Sequence, residues 1–215
     1  MAGHAPTSLG AGRPLLRGWS HLVAFAVMVV AGPLLVAGAR PDARWFVAAH
    51  AASLTALFGV SALYHRKLWA PGPRAIMRRL DHATIFVLIA GTYTGVGGLI
   101  LSPGRRWLLA LVWLGAAAGA AVQVAWPERR KLAAGTAIGL GWVAVLAAPL
   151  LLDALSAGRL ALLLGGGVLY SAGAVAYATK RPRLAPAVFG YHEVFHLAVI
   201  GAAVAHTVVV AGLAA

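Results

Sequence analysis

The chain has 215 residues, of which 61% are hydrophobic and only 11% charged, and its mean hydropathy is +0.84. A soluble domain carries about 25% charged residues, so this composition excludes a soluble protein and describes an integral membrane one. The net charge of +13 comes from 18 Lys and Arg against 5 Asp and Glu. Those cations sit in short loops between apolar runs, so they read as membrane topology and not as a nucleic-acid surface. Cysteine is absent, which removes disulfides and thiolate metal sites and leaves His and carboxylate as the available ligands.

Residues 1–19 form a polar tail with Arg13 and Arg17, expected to be loose at its start. Apolar segments follow at roughly 20–38, 45–64, 83–101, 107–125, 132–152, 160–179 and 193–214. Each approaches the ~20 residues that cross ~30 Å of hydrocarbon. The expectation is one all-α domain over 20–215, a bundle of seven transmembrane helices; a barrel would show short alternating segments instead. Thirteen of the Lys and Arg fall in the tail and in the loops after the second, fourth and sixth segments, and five on the opposite side. That bias puts the N-terminus in the cytoplasm and the C-terminus outside, as an odd number of spans also requires, in a multi-pass protein of the plasma (inner) membrane. Arg13, Arg17, the first apolar run and Ala37-Gly38-Ala39 have the look of a signal peptide, but the run exceeds the usual h-region of about 7–15 residues. The pairs Gly91/Gly95, Gly115/Gly119 and Gly135/Gly139 are read as close helix packing.

The chemistry-bearing residues converge at one depth. The last segment opens with Tyr191-His192-Glu193-Val194-Phe195-His196, whose two histidines share one helix face a turn apart and can both reach one metal ion. The second segment ends with Ser61-Ala62-Leu63-Tyr64-His65, and the third begins with Leu80-Asp81-His82. By the charge count all three stretches lie at the cytoplasmic end. The chain has only eight histidines and five acids, and His65, His82, His192, His196, Asp81 and Glu193 all sit there. Taken singly each has an ordinary explanation: His65 as an interfacial residue, Asp81 paired with Arg78 or Arg79 at a helix start, His192 and His196 as a polar helix end. Together they point to a zinc site, because ionisable groups at membrane depth must find partners. His65, His192 and His196 supply three nitrogens, and Asp81 is either a fourth ligand or the base that orients a bound water. Zinc lowers the pKa of such a water to about 7. Ser61, a turn deeper than His65, can donate a hydrogen bond to a ligand or to a substrate carbonyl. His82 lies 100° around the helix from Asp81, in a supporting position; His21, His50 and His206 are read as packing or interfacial residues, and His4 lies in the tail.

His192–His196 also matches H-E-x-x-H, the metalloprotease signature in which Glu193 is the base. That reading leaves His65 and Ser61 without a role. The segment Arg66–Arg79 carries five cations beside Leu68, Trp69, Ile76 and Met77. It reads as a positive-inside loop or as an interfacial segment lying on anionic lipid.

Pro14-Leu15-Leu16-Arg17-Gly18-Trp19, the Ser61–His65 stretch, Leu80-Asp81-His82 with Gly91-Thr92-Tyr93-Thr94, and His192–Leu197 together resemble the hemolysin III family. That family is the bacterial branch related to the progestin and adiponectin receptors and, more distantly, to alkaline ceramidases. The resemblance spans Pro14 to His206. It implies a seven-helix membrane protein with its N-terminus inside and a zinc site near the cytoplasmic face. By similarity His65, His192 and His196 would be the ligands, Asp81 would hold the zinc-bound water, and Ser61 would match the serine before the first ligand. The long N-terminal extension of the receptor branch is lacking, which does not support a hormone-receptor role.

The expected function is a membrane-embedded, zinc-dependent hydrolase of a lipid amide or ester, with Asp81 and Ser61 as its catalytic residues and a membrane lipid as its substrate. The alternatives are a cytolysin or pore, a receptor-like membrane-homeostasis factor with a structural zinc, and the intramembrane protease. The pore gains little, since helices 4 to 6 carry no charged stripe to line an aqueous channel.

Overall fold

The structure is a computed structural model, described here for residues 14–215. Eight α-helices follow in order: α1 (Trp19–Gly38), α2 (Arg44–Arg66), α3 (Pro71–Ile100), α4 (Trp107–Ala125), α5 (Arg130–Trp142), α6 (Ala148–Ala154), α7 (Ala157–Thr179) and α8 (Tyr191–Ala214). A 3-10 turn over Val143–Ala147 joins α5 to α6, and the two helices make one span. The bundle therefore has seven helices long and apolar enough to cross a membrane. The chain is an all-α, multi-pass integral membrane protein. Large apolar side chains such as Leu34, Leu114 and Leu146 point outward, as they must where the surroundings are hydrocarbon.

Helix α3 lies centrally and packs against α2, α4, α5 and α8, while α7 packs mainly on α8. Small residues set how closely these helices approach. A side chain at Gly91 would run into Ser53, one at Gly98 into Phe46, and one at Gly119 into Phe86. Gly95 lies against His50 and Val210. The packing reading thus holds at Gly91/Gly95 and Gly115/Gly119. It fails at Gly135/Gly139, where a Cβ would meet nothing within 4 Å: that edge of α5 faces outward.

Two helix boundaries depart from the apolar segments. Helix α3 starts at Pro71, whose fixed φ suits the first helical turn, so Asp81 stands ten residues inside the helix and not at its start. The expected cationic loop is consequently helical over most of its length. Two of its arginines are engaged: Arg66 lies over the Trp19 ring at 4.0 Å, and Arg78 donates to Glu128 at 2.6 Å and to the Pro127 carbonyl. The Arg78 hydrogen bond holds the Glu128 carboxyl below the usual carboxylate range. The fifth span departs from α-helix after Trp142, in the 3-10 stretch Val143–Ala147 between Gly141 and Pro149; Pro149 has no amide to donate back to the preceding turn.

The arginine-rich loops meet at one end of the bundle, tied by Arg78–Glu128, Arg130–Tyr191 and Arg17–Glu193. At the other end Arg40 and Arg159 bond the last carbonyls of α8. Of the expected N-terminal tail, residues 1–13 lie outside the described residues. Pro14–Gly18 is a turn whose Leu15 and Leu16 amides donate to the Ala187 and Val188 carbonyls.

The packing carries a direct test. Gly91→Ala is expected to destabilise the protein by about 1–3 kcal/mol through overpacking against Ser53. Gly135→Ala should be neutral or stabilising by up to about 1 kcal/mol from helix propensity. Thermal unfolding in detergent separates the two, and equal midpoints would contradict this account of helix approach.

Candidate metal centre

The centre is assembled at the start of α8, where the sequence fixes the helix end twice. Glu193 is buried, accepts a hydrogen bond from its own helix's Gly190 amide at 2.7 Å, and is ion-paired with Arg17. The carboxylate thus satisfies an otherwise orphaned amide of the first turn. Arg17 reaches it because Gly18 turns the chain at φ +80°. A Cβ at Gly18 would lie 2.6 Å from that of His65, so only glycine fits both the conformation and the space.

With α8 held, His192 and His196 face the end of α2. The Nε2 atoms of His192 and His65 are 3.0 Å apart. One ligand-capable atom from each of His65, His192 and His196 lies within 4.8 Å of the others, and all three residues are buried. Across from them, the Asp81 carboxylate is 3.7 Å from His65 Nε2, and Ser61 lies beside Asp81 in the lining of one cavity. His82 faces the Tyr177 hydroxyl at 3.3 Å. Asp81 does not pair with Arg78, which is bound to Glu128.

The donor set suits a metal ion. Three buried imidazoles converge, the ligand type that zinc and its neighbours favour. His196 Nδ1 has no hydrogen-bond partner, and a buried polar atom in that condition is costly without a ligand or water. The triad can therefore hold a metal ion.

The centre opens into a cavity of about 150 Å³ that runs inward between α3, α5, α7 and α8. Its middle is walled by Leu57, Ile85, Phe86, Ala137, Phe195 and Val199. Such a lining fits hydrocarbon.

The family described as haemolysin-III related matches residues 10–207 of the chain. The chain belongs to the hemolysin III family. It is 33% identical over 152 residues to a protein named Hemolysin-3 from Bacillus cereus, covering 69% of this chain and 66% of that protein. It is 30% identical over 158 residues to a Hemolysin-3 homolog from Bacillus subtilis (strain 168), covering 71% of this chain and 70% of the relative. Family membership and seven apolar spans make it a multi-pass protein of the plasma membrane.

All five residues singled out from the sequence, Ser61, His65, Asp81, His192 and His196, come together. His21 was missed. Its ring stacks on His196 with centroids 3.8 Å apart and planes 9° apart. The signal was available, since His21 opens the first span at the same depth as the others. His50 and His206 are fully inside the bundle, bonded to Thr207 and to the Leu163 carbonyl, so they are not interfacial residues.

The protein purified in detergent is expected to carry about one metal ion per chain, and His196→Ala to lose it. Elemental analysis measures both, and wild-type protein without metal would remove the centre's assigned role.

Proposed function

We propose that this protein is a metal-dependent hydrolase of a lipid amide or ester, with zinc as its metal. The observation that carries the reading is the juxtaposition of three buried histidines and the Asp81 carboxylate at the mouth of an apolar cavity. Zinc held by His65, His192 and His196 would act as a Lewis acid and lower the pKa of water at the site.

The remaining roles fall to the chain's own side chains. Asp81 orients the attacking water and accepts its proton as the water oxygen bonds to the substrate carbonyl carbon. Asp81 then returns that proton to the leaving nitrogen or oxygen as the C–N or C–O bond breaks, so water is added across the bond and nothing is oxidised. Ser61 holds the Asp81 carboxylate in position and can turn its hydroxyl to the substrate carbonyl. His82 and Tyr177 offer further hydrogen bonds beside the leaving group. The apolar walls take the acyl chain and exclude bulk water, which strengthens every polar contact at the centre.

The protease reading of H-E-x-x-H fares worse. Glu193 is occupied by the Gly190 amide and Arg17, which makes it an anchor of the helix end and not a free base.

The test is release of fatty acid from amide- and ester-linked lipids by metal-loaded protein. Asp81→Asn should cut the rate by about 100-fold or more while keeping the metal. Glu193→Gln should lower the unfolding midpoint and cost far less in rate per folded molecule than Asp81→Asn. Loaded wild-type protein that releases no more fatty acid than Asp81→Asn would refute the hydrolase.

A further inference from the structure

The inner end of the cavity is polar, and its polarity is unspent. Thr92, Tyr170 and His206 line it from α3, α7 and α8. Thr92 Oγ1, Tyr170 Oη and His206 Nδ1 are buried atoms without a hydrogen-bond partner. Thr92 is 9% exposed and His206 7%.

The three groups share one depth. The Tyr170 and His206 rings lie 5.5 Å apart. Thr207, the residue after His206, bonds His50, and His50 packs against Gly95, three residues after Thr92. That spacing is under one helical turn.

Most hydroxyls elsewhere in the bundle are matched. Thr55, Thr94, Thr136 and Thr179 each return the hydroxyl to a carbonyl four residues back in the same helix. Thr92 does not. Tyr93, Trp142 and Ser171, which also line the cavity, are all partnered. Leaving buried hydroxyls unmatched in hydrocarbon is costly, so the site is built for something that enters it.

The chemistry of the occupant follows from the donors. His206 Nε2 donates to the Leu163 carbonyl at 3.0 Å, which leaves Nδ1 of the neutral ring as an acceptor. Tyr170 and Thr92 offer hydroxyls that donate. A ligand group that donates to one and accepts from the others is an alcohol; a ketone or ester oxygen would leave Nδ1 unmatched. His206 lies ten residues beyond His196 on α8, about 15 Å at 1.5 Å per residue. An extended chain advances about 1.2 Å per bond, so this depth corresponds to about twelve carbons.

We infer that the inner end of the cavity is a hydroxyl-binding site, formed by Thr92, Tyr170 and His206, that selects acyl chains carrying an alcohol about twelve carbons from the group at the histidine centre. The inference rests on the hydrolase reading for what lies at the histidines, and it adds the class of chain.

The test uses products of the proposed reaction as probes on the full-length protein as purified. Binding of dodecanoic, 12-hydroxydodecanoic and 2-hydroxydodecanoic acids is measured by competition against a fluorescent fatty acid. The 12-hydroxy acid should bind about tenfold more tightly than the unsubstituted acid, as one or two well-placed hydrogen bonds allow. The 2-hydroxy acid should gain no such advantage from the inner site. Thr92→Val and Tyr170→Phe, which keep shape and remove oxygen, should bring the preference to within about twofold and leave dodecanoic acid binding unchanged. A structural role alone would move both acids together. Equal wild-type affinity for the 12-hydroxy and unsubstituted acids would overturn the inner site and leave the hydrolase standing. A preference that survives both variants, or that the 2-hydroxy acid shares, would overturn it as well. If no acid bound at all, the acyl cavity would fail with it, and the hydrolase reading would lose its chain-binding support.

Discussion

Hydrocarbon offers no hydrogen bonds, and that constraint organises this molecule. A polar group placed inside the bundle must be matched by another part of the chain. Most are. His50 meets Thr207, His206 meets the Leu163 carbonyl, and Arg40 and Arg159 take up the free carbonyls at the end of α8. The threonines of α2, α4's neighbour α3 and α7 fold back on their own helices, with Thr92 the departure. Against that background, three histidines facing one another across 3.0 to 4.8 Å are not ordinary packing. Imidazoles turned toward each other, with a carboxylate beside them, are matched best by a cation between them.

The same constraint explains why the helices differ in how tightly they are held. Helices α2, α3 and α8 carry the centre, and they approach closely at glycines backed by Ser53, Phe46, His50 and Val210. Lipid tails are as apolar as the side chains, so close van der Waals contact and small residues, more than hydrophobicity, hold such helices together. Helix α5 is different. It is broken after Trp142 and presents glycines outward, and its inner face walls the cavity. Rigid support on one side of the centre and a lightly packed wall on the other suit a site whose ligand comes from the bilayer.

Much of this was legible because charge and chemistry are independent records in the sequence. Counting Lys and Arg in loops fixed which segment ends share a side, and that count ignored the histidines. Finding Ser61, His65, Asp81, His192 and His196 at one depth was then a coincidence that needed a cause, and the structure supplies their contact. His21 escaped because it stands alone among the ionisable residues of α1, without the four-residue pairing that marked His192 and His196, although it shares their depth. The start of α3 escaped because hydropathy sees the membrane and not the helix: Pro71 to Leu80 is too charged to be apolar, yet has nothing to stop a helix. The inner polar site was out of reach for another reason. Thr92, Tyr170 and His206 come from three helices, and whether each finds a partner depends on rotamers and contacts that periodicity does not encode.

Glu193 shows how the two halves of the argument bind together. It stands between the two histidines of α8, and by sequence it could belong to the chemistry. In the structure its oxygens are taken by the Gly190 amide and Arg17, and Arg17 precedes Gly18, which can lie against His65 only because it lacks a side chain. Removing Arg17 would leave a buried, unpaired carboxylate, a change worth about 3–5 kcal/mol in comparable settings. The turn before α1 therefore clamps the start of α8 against the end of α2. It sets the distance between His65 and His192 without touching a ligand, so the segment Pro14–Trp19 belongs to the centre as its positioning element even though its own residues carry no reaction.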